Sequence, residues 1–446
     1  MVVNCTSGIE RDEDNGYSCC SSQTEKRCQV AGKCVCSCAG YGNVCPYSAG
    51  VAGRAASLAV SNLFSPDSAL FTKPPEYPLV SLSDLIIHEK LGEGGFSCVY
   101  RVSMKQDEKS YAIKYLMKRN MVNQQTFELG ASDLAVEAIF LSKLKHKNII
   151  QLHGVTTGSI ETNFSMGQER GFFIVIDFLA SILESRIEQW RETADHGTLL
   201  SRLSHEFKEK RRLALLDRLN VAIDLTDAMI YLHSLNIIFR DLKPDNIGFD
   251  TSGTLKLYDF GLAKEVKPCY LNGSQKLTGN TGSRRYMAPE VAKEQSYGLP
   301  ADVFSFGILL YEISSLEKPF QGYNATKHMK QVVMAGERPR LDTASASWFP
   351  FELHWLIKRC WSSSPSDRPT FSSCKEVLED IVKSTSSGKM RSPRAVLKNS
   401  PSPQKNVKNL DPTLQVPADK LPNFHEIKPV PKPTRQTKSL GFLQKH

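Results

Sequence analysis

Apolar residues fall into three regimes along this chain. Residues 1 to about 80 are rich in Ser, Gly, Cys and Ala and show no sustained period. From Leu85 to about Ile381 the apolar positions recur regularly, and beyond Ser384 they thin out again. In the middle regime short runs come first. Leu85-Ile86-Ile87, Ser97 to Val102 and Tyr111 to Leu116 predict strands, separated by turn residues. Leu134 to Leu144 carries apolar residues at helical spacing, and Phe172 to Ile176 predicts a further buried strand. After that point helical spacing dominates, over Leu215 to Leu232, Asp302 to Ile313 and Leu353 to Cys360. Strands followed by helices predict an α+β, bilobal architecture: a small β-rich lobe, a larger α-helical lobe and a cleft between them.

Composition sharpens the outer regimes. From Ser384 to the end there are 12 Lys or Arg against 3 Asp or Glu, so the tail carries the whole net charge of +9 and residues 1–383 are balanced. Ser392-Pro393, Ser400-Pro401, Ser402-Pro403 and the Pro429 to Pro433 alternation lie in this basic stretch. Such a composition buries too little apolar surface to offset chain ordering, which predicts a disordered Pro/Ser-rich tail over 384–446. Eight of the twelve cysteines lie in the first 45 residues, including Cys19-Cys20 and Cys34-Val35-Cys36-Ser37-Cys38. Their spacing lacks the two-residue gaps of common zinc sites, so residues 1–80 are expected to be a Cys/Ser-rich disordered tail. Cys98, Cys269, Cys360 and Cys374 are scattered, as befits reduced thiols. No apolar run suggests a signal peptide or a membrane span, and the expected location is the cytoplasm, with the nucleus as the alternative.

The residues that carry chemistry cluster at 239–246, Phe239-Arg240-Asp241-Leu242-Lys243-Pro244-Asp245-Asn246. An Asp and an Asn five residues apart with a Lys between them set a base, a metal ligand and a cation on one short loop, the groups that phosphoryl transfer requires. Asp259-Phe260-Gly261 follows thirteen residues after Asn246 and adds a second carboxylate. Upstream, Gly92-Glu93-Gly94-Gly95-Phe96-Ser97-Cys98-Val99 sits between two predicted strands, where glycines let backbone N–H groups approach phosphates. Lys114 lies in the apolar strand Tyr111-Ala112-Ile113-Lys114 and needs a partner, for which Glu137 on the following helix is the candidate.

In this order and spacing, with Met287-Ala288-Pro289-Glu290 and Asp367-Arg368-Pro369 behind them, these motifs resemble a complete protein kinase domain over 85–381. Gly282-Ser283-Arg284-Arg285-Tyr286 and the Trp361 to Phe371 ending are similar to the tyrosine-kinase-like group, which mostly phosphorylates Ser and Thr. The resemblance implies ATP and Mg²⁺ as cofactors and protein Ser/Thr hydroxyls as acceptors. Asp241 would accept the hydroxyl proton, Lys243 would steady the transferred phosphate, and Asn246 and Asp259 would bind the metal. Lys114, held by Glu137, would grip the α- and β-phosphates. Gly92, Glu93, Gly94, Gly95, Phe96, Ser97 and Val99, with Ala112, would line the nucleotide. Ile176 stands at the gatekeeper position, and Asp177 and Leu179 belong to the hinge that would hold adenine. Glu290 and Arg368 match the buried ion pair of the large lobe.

Two residues depart from the family pattern. Phe239 replaces His, which keeps the packing under Phe260 with Leu141 and Leu152 and loses a hydrogen bond worth about 1 kcal/mol. Gly248 stands where a large aliphatic usually forms the adenine floor, which bears on the shape of that pocket. Arg240 is suited to pair with a phosphate on Thr278, Thr281 or Ser274 added by an upstream kinase, while Ser283 is expected to contact the catalytic loop. The stretch from Glu184 to Arg212 reads as an extended helix and loop on the large lobe. Ser402-Pro403-Gln404-Lys405 fits a proline-directed kinase target. A pseudokinase or scaffold that binds partners through the fold and tails is the alternative function, and nucleic-acid binding rests only on the basic tail and is not expected.

Overall fold

The computed structural model describes residues 46–386 apart from 64–67, 69, 73–75, 167, 195–203, 267–275 and 344. The first 45 residues, with eight of the cysteines, and residues 387–446, with Ser402, lie outside the described residues, as does Ser274.

The described chain begins with a helix rather than a tail. α1 (Pro46–Ser61) is rich in Ala, and its Ala52 and Ala56, one turn apart, are buried. Over 46–61 the chain is helical where no structure was expected, while residues 1–45 lie outside the described residues: Ala gives weak hydrophobic contrast in sequence, yet it is a strong helix former and lets helices approach closely. β1 (Leu79–Val80) then pairs in parallel with β5, a strand that follows further along the chain at Leu152–Thr156.

The strands that precede β5 form a meander. β2 (Leu85–Glu93), β3 (Ser97–Met104) and β4 (Asp107–Leu116) pair antiparallel, β3 and β4 in the register Val99 to Lys114 and Arg101 to Ala112. α2 (Gln124–Lys143) follows, started by the Asn123 side chain, which accepts from Thr126 N. Such an N-cap satisfies one of the orphan donors of the first turn. α3 (Ile160–Ser165) separates β5 from β6 (Phe173–Asp177), and the finished sheet has the order β1-β5-β6-β4-β3-β2. One face of it buries Val102, Ile113, Phe173 and Val175, while α2 and the main core lie on the other.

The large lobe opens with β7 (Ser181–Ile182) and α4 (Leu183–Thr193). α5 (His205–Ser234) starts ten residues earlier than the apolar spacing predicts, because the Ser204 hydroxyl caps it by accepting from Phe207 N. The basic run Lys208 to Arg212 is thereby built into a helix. Arg211 lies over the Trp348 ring at 4.2 Å, and Arg212 pairs with Glu209. Two short ribbons follow, β8 (Ile237–Ile238) with β11 (Lys264–Glu265), and β9 (Ile247–Phe249) between β7 and β10 (Leu255–Leu257). The helices α6 (Pro289–Ala292), α7 (Pro300–Ser315), α8 (Ala325–His328), α9 (Phe351–Cys360) and α10 (Phe371–Ser386) complete it. α7 is the axis of this lobe: every residue from Ala301 to Ser315 is buried. No described helix is long and apolar enough to cross a membrane.

Candidate active site

Asp241 lies between β8 and β9, and its two oxygens are held from three sides. Oδ1 accepts the Ser283 backbone N–H at 2.7 Å; Oδ2 accepts Asn246 Nδ2 at 2.9 Å and the Lys243 ammonium at 2.8 Å. Lys243 also donates to the Ser283 hydroxyl at 3.0 Å, so the expected contact of Ser283 with the catalytic loop is present. Gly282 makes this approach feasible, since its φ is +93° and a Cβ there would collide with the Arg240 carbonyl.

The loop is suspended from α7. The Asp302 carboxylate, buried, accepts the N–H groups of Phe239 at 2.8 Å and Arg240 at 2.9 Å, and His233 Nε2 lies 3.1 Å away. Phe239 itself is fully buried and meets Phe260 edge to face at 5.1 Å. The aromatic thus keeps the packing that the family's His provides. Arg240 (φ 72°) and Asp259 (φ 69°) both sit in the left-handed region, where non-glycine residues are strained. Both are expected site residues, and the network around each fixes the unfavourable backbone.

Lys114 joins the two lobes' acids. Its ammonium donates to Glu137 Oε2 at 2.6 Å and to Asp259 Oδ1 at 2.8 Å. Burial works against the charged lysine, but Asp259 and Glu137 outweigh it and hold its pKa above the ordinary lysine value. Lys114 in turn holds the Asp259 carboxyl below its ordinary value, against the effect of burial. Glu137 also accepts the Phe260 backbone N–H, which ties α2 to the Asp259-Phe260-Gly261 turn.

The residues present fit a magnesium nucleotide. Asn246 uses its Nδ2 on the Asp241 carbonyl and carboxylate, both at 2.9 Å, which leaves Oδ1 as the acceptor toward a cation. The Asp259 side chain, 43% exposed, adds carboxylate oxygen. Two oxygen ligands from protein with the remainder from phosphate and water is the usual shell of Mg²⁺. The glycine turn between β2 and β3 is closed by Gly94 N donating to Ser97 O at 2.8 Å. The Glu93 side chain pairs with Lys90 and Arg119. Phe96 folds toward α2, where a Cβ on Gly130 would lie 2.7 Å from its own. Ala112 and Ile176 are cross-strand partners on β4 and β6, and Val99 pairs with Lys114, which brings these positions to one wall.

The hinge answers the question posed by Gly248. A Cβ at Gly248 would lie 2.5 Å from Leu179 Cδ1 and 3.2 Å from the Ser181 carbonyl. Leu179 therefore occupies the space that a side chain at position 248 would need, and Gly248 is the residue that admits it. The Asp177 N–H donates to Gln151 O at 3.1 Å, so of its two backbone polar groups the carbonyl is the one it could offer to a nucleotide base.

Two residues beside the site escaped the sequence reading. Asp302 was visible only as part of a motif, without its role as the loop's anchor. Asp133 carried no motif, but it precedes Glu137 by one helical turn and so shares its face. Burial, and then the Asp259 charge, push the Asp133 carboxyl up to about 6.

Residues 85–380 match the family described as Protein kinase domain. The chain belongs to the protein kinase family. Relatives of this kinase include Serine/threonine/tyrosine-protein kinase HT1 of Arabidopsis thaliana, 32% identical over 298 residues that cover 67% of this chain and 66% of the relative. Serine/threonine-protein kinase VIK of the same plant is 33% identical over 59% of this chain and 54% of its own length. Mitogen-activated protein kinase kinase kinase 7 of Drosophila melanogaster is 28% identical over 68% of this chain and 38% of its own. The kinase thus spans less than two thirds of the length of these relatives. Their names agree with the resemblance to the tyrosine-kinase-like group.

Proposed function

We propose that this kinase transfers the γ-phosphate of ATP to Ser and Thr hydroxyls of protein substrates. The observation that carries the reading is the assembled pair of clusters, Lys114 with Glu137 and Asp259, and Asp241 with Lys243, Asn246 and Ser283. Asp241 orients the acceptor hydroxyl and takes its proton as the oxygen forms its bond to the γ-phosphorus. Lys243 stabilises the charge on the phosphoryl oxygens, and the bond to the nucleotide's leaving oxygen breaks. Lys114 holds the α- and β-phosphates while Glu137 fixes its ammonium. Magnesium, when bound through Asn246 and Asp259, supplies charge neutralisation at the phosphates. Lys243, placed between Asp241 and Ser283, favours Ser/Thr acceptors.

The test is radiolabelled transfer from ATP to a generic basic protein, with phosphoamino-acid analysis of the product. Asp241→Asn and Lys114→Met should each lose at least about a hundredfold in rate, and the label should appear on Ser and Thr. Equal labelling by all three proteins would instead support the scaffold reading. Label on Tyr would extend the acceptor class.

Regulation follows from the same geometry. The Thr278 hydroxyl is exposed and accepts from Arg240 Nη1 at 2.8 Å, and Thr281 donates to the Thr278 carbonyl at 2.9 Å. A phosphate placed on Thr278 by an upstream kinase would form charge-assisted bonds with Arg240, which already anchors the Leu262 carbonyl at 2.5 Å. Ser402 remains a proposed target of a proline-directed kinase.

A further inference from the structure

α2 is buried on too many sides for a helix that packs only on a sheet. Its buried residues run from Phe127 to Leu141 and include Phe127, Ala131, Ala135, Glu137, Ile139 and Phe140. At 100° per residue these positions cover roughly 260° of the circumference, where a one-sided helix buries a stripe of about 100°. The second cover is supplied by the chain before β1. α1 packs on α2 and on α3, with Ala52 and Ala56 buried in the shared core. Phe71, fully buried, meets the Phe140 ring edge to face at 4.9 Å, and Phe140 lies three residues from Glu137. Ser68, also buried, donates to Glu265 Oε2 at 2.5 Å, and its hydroxyl accepts Phe71 N at 2.7 Å. Glu265 lies on β11, four residues after Gly261, so the same segment touches both the helix that carries Glu137 and the strand leaving the Asp259 turn.

We propose that α1, with Ser68 and Phe71, is a cis-acting brace that holds α2 in the position where Glu137 meets Lys114. Phe71 and Ser68 are positioning residues: neither touches a reacting group, and both act through the Lys114–Glu137 pair. The proposal rests on the phosphotransferase reading only for its kinetic readout. Its structural content is that α2 loses order when the brace is removed.

The experiment uses the full chain with Phe71→Ala, Ala56→Glu and Ser68→Ala, each alone, and Phe71→Leu as the conservative control. Amide hydrogen exchange over Leu134 to Leu141 should speed up by about tenfold or more in Phe71→Ala and Ala56→Glu while α7 keeps its protection. In the transfer assay kcat/KM should fall about tenfold in these two, two- to threefold in Ser68→Ala, and recover largely in Phe71→Leu. In a Glu137→Gln background Phe71→Ala should cost less than about twofold, because the group it positions is already gone. Unchanged exchange in α2 overturns the brace, as does an equal fold loss in both backgrounds. A wild-type protein that transfers no phosphate removes the catalytic reading instead, and the exchange comparison still decides the brace.

Discussion

Gly248 and Leu179 are one substitution in two places. The first lacks a side chain and the second fills that space from the connection between the lobes, with only 2.5 Å between Leu179 Cδ1 and a Cβ at position 248. Gly248→Leu should therefore clash, and we expect a loss of about 1–3 kcal/mol in stability with weakened ATP binding. Leu179→Gly in the same chain should restore most of both, which thermal unfolding with and without nucleotide would measure. Asp133 gives a prediction in pH. Its folded-state value, about 6, lies above the ordinary carboxylate value of 3.8, so the folded protein binds more protons than the unfolded chain between the two. Stability from this group therefore falls as pH rises through that window. Asp259 faces it with like charge, and Lys114 and Arg240 oppose the shift. Asp133→Asn should raise the unfolding midpoint by about 2–4 °C at pH 7.5 and by little at pH 4.5. A midpoint gain of equal size at both values would contradict it.

At the scale of elements, the strands of the small lobe lie close to where the short apolar runs between turn residues put them, since such runs stand out when the strand is buried. Tyr111 to Leu116, for instance, is the last six of the ten residues of β4. The helices were seen by their cores and missed at their ends. α5 begins at His205 because of the Ser204 cap and a run of charged residues whose stems pack, a pattern that apolar spacing cannot register. α1 was invisible for the opposite reason, as Ala and Gly carry little hydrophobic contrast. The site's chemistry was legible because it lives in short motifs at fixed spacing. Its supports were not: Asp302, Asp133 and Leu179 act across long sequence separations that only folding brings together. Thr278→Ala should lower activity about tenfold in protein phosphorylated by an upstream kinase and little in unphosphorylated protein, since Arg240 then loses only a neutral partner. Equal activity of wild type and Thr278→Ala after phosphorylation would exclude Thr278 as the regulatory acceptor.

For the molecule as a whole, the large lobe depends on one buried ion pair. Arg368 reaches Glu290 through two bonds of 2.6 and 2.9 Å and also donates to the carbonyls of Pro300 and Ser362. It thereby links α6, the start of α7 and the turn before α10. Removing one partner leaves a charge stranded in the interior, at a cost of about 3–5 kcal/mol. Glu290→Ala should lower the unfolding midpoint sharply, whereas Glu290→Met with Arg368→Leu should recover much of it. If the double variant is no more stable than the single, the stranded charge is not the cause.

The hinge-borne floor has a consequence for selective chemistry. With Ile176 at the position expected for a gatekeeper, the space beside Gly248 is filled by Leu179, a side chain on the connection between the lobes. Trimming Leu179 would open a hole under the ring without touching any residue that handles phosphate. A purine bearing a bulky group on that side would then find room in the altered protein and none in the natural one, making position 179 an address for an engineered inhibitor.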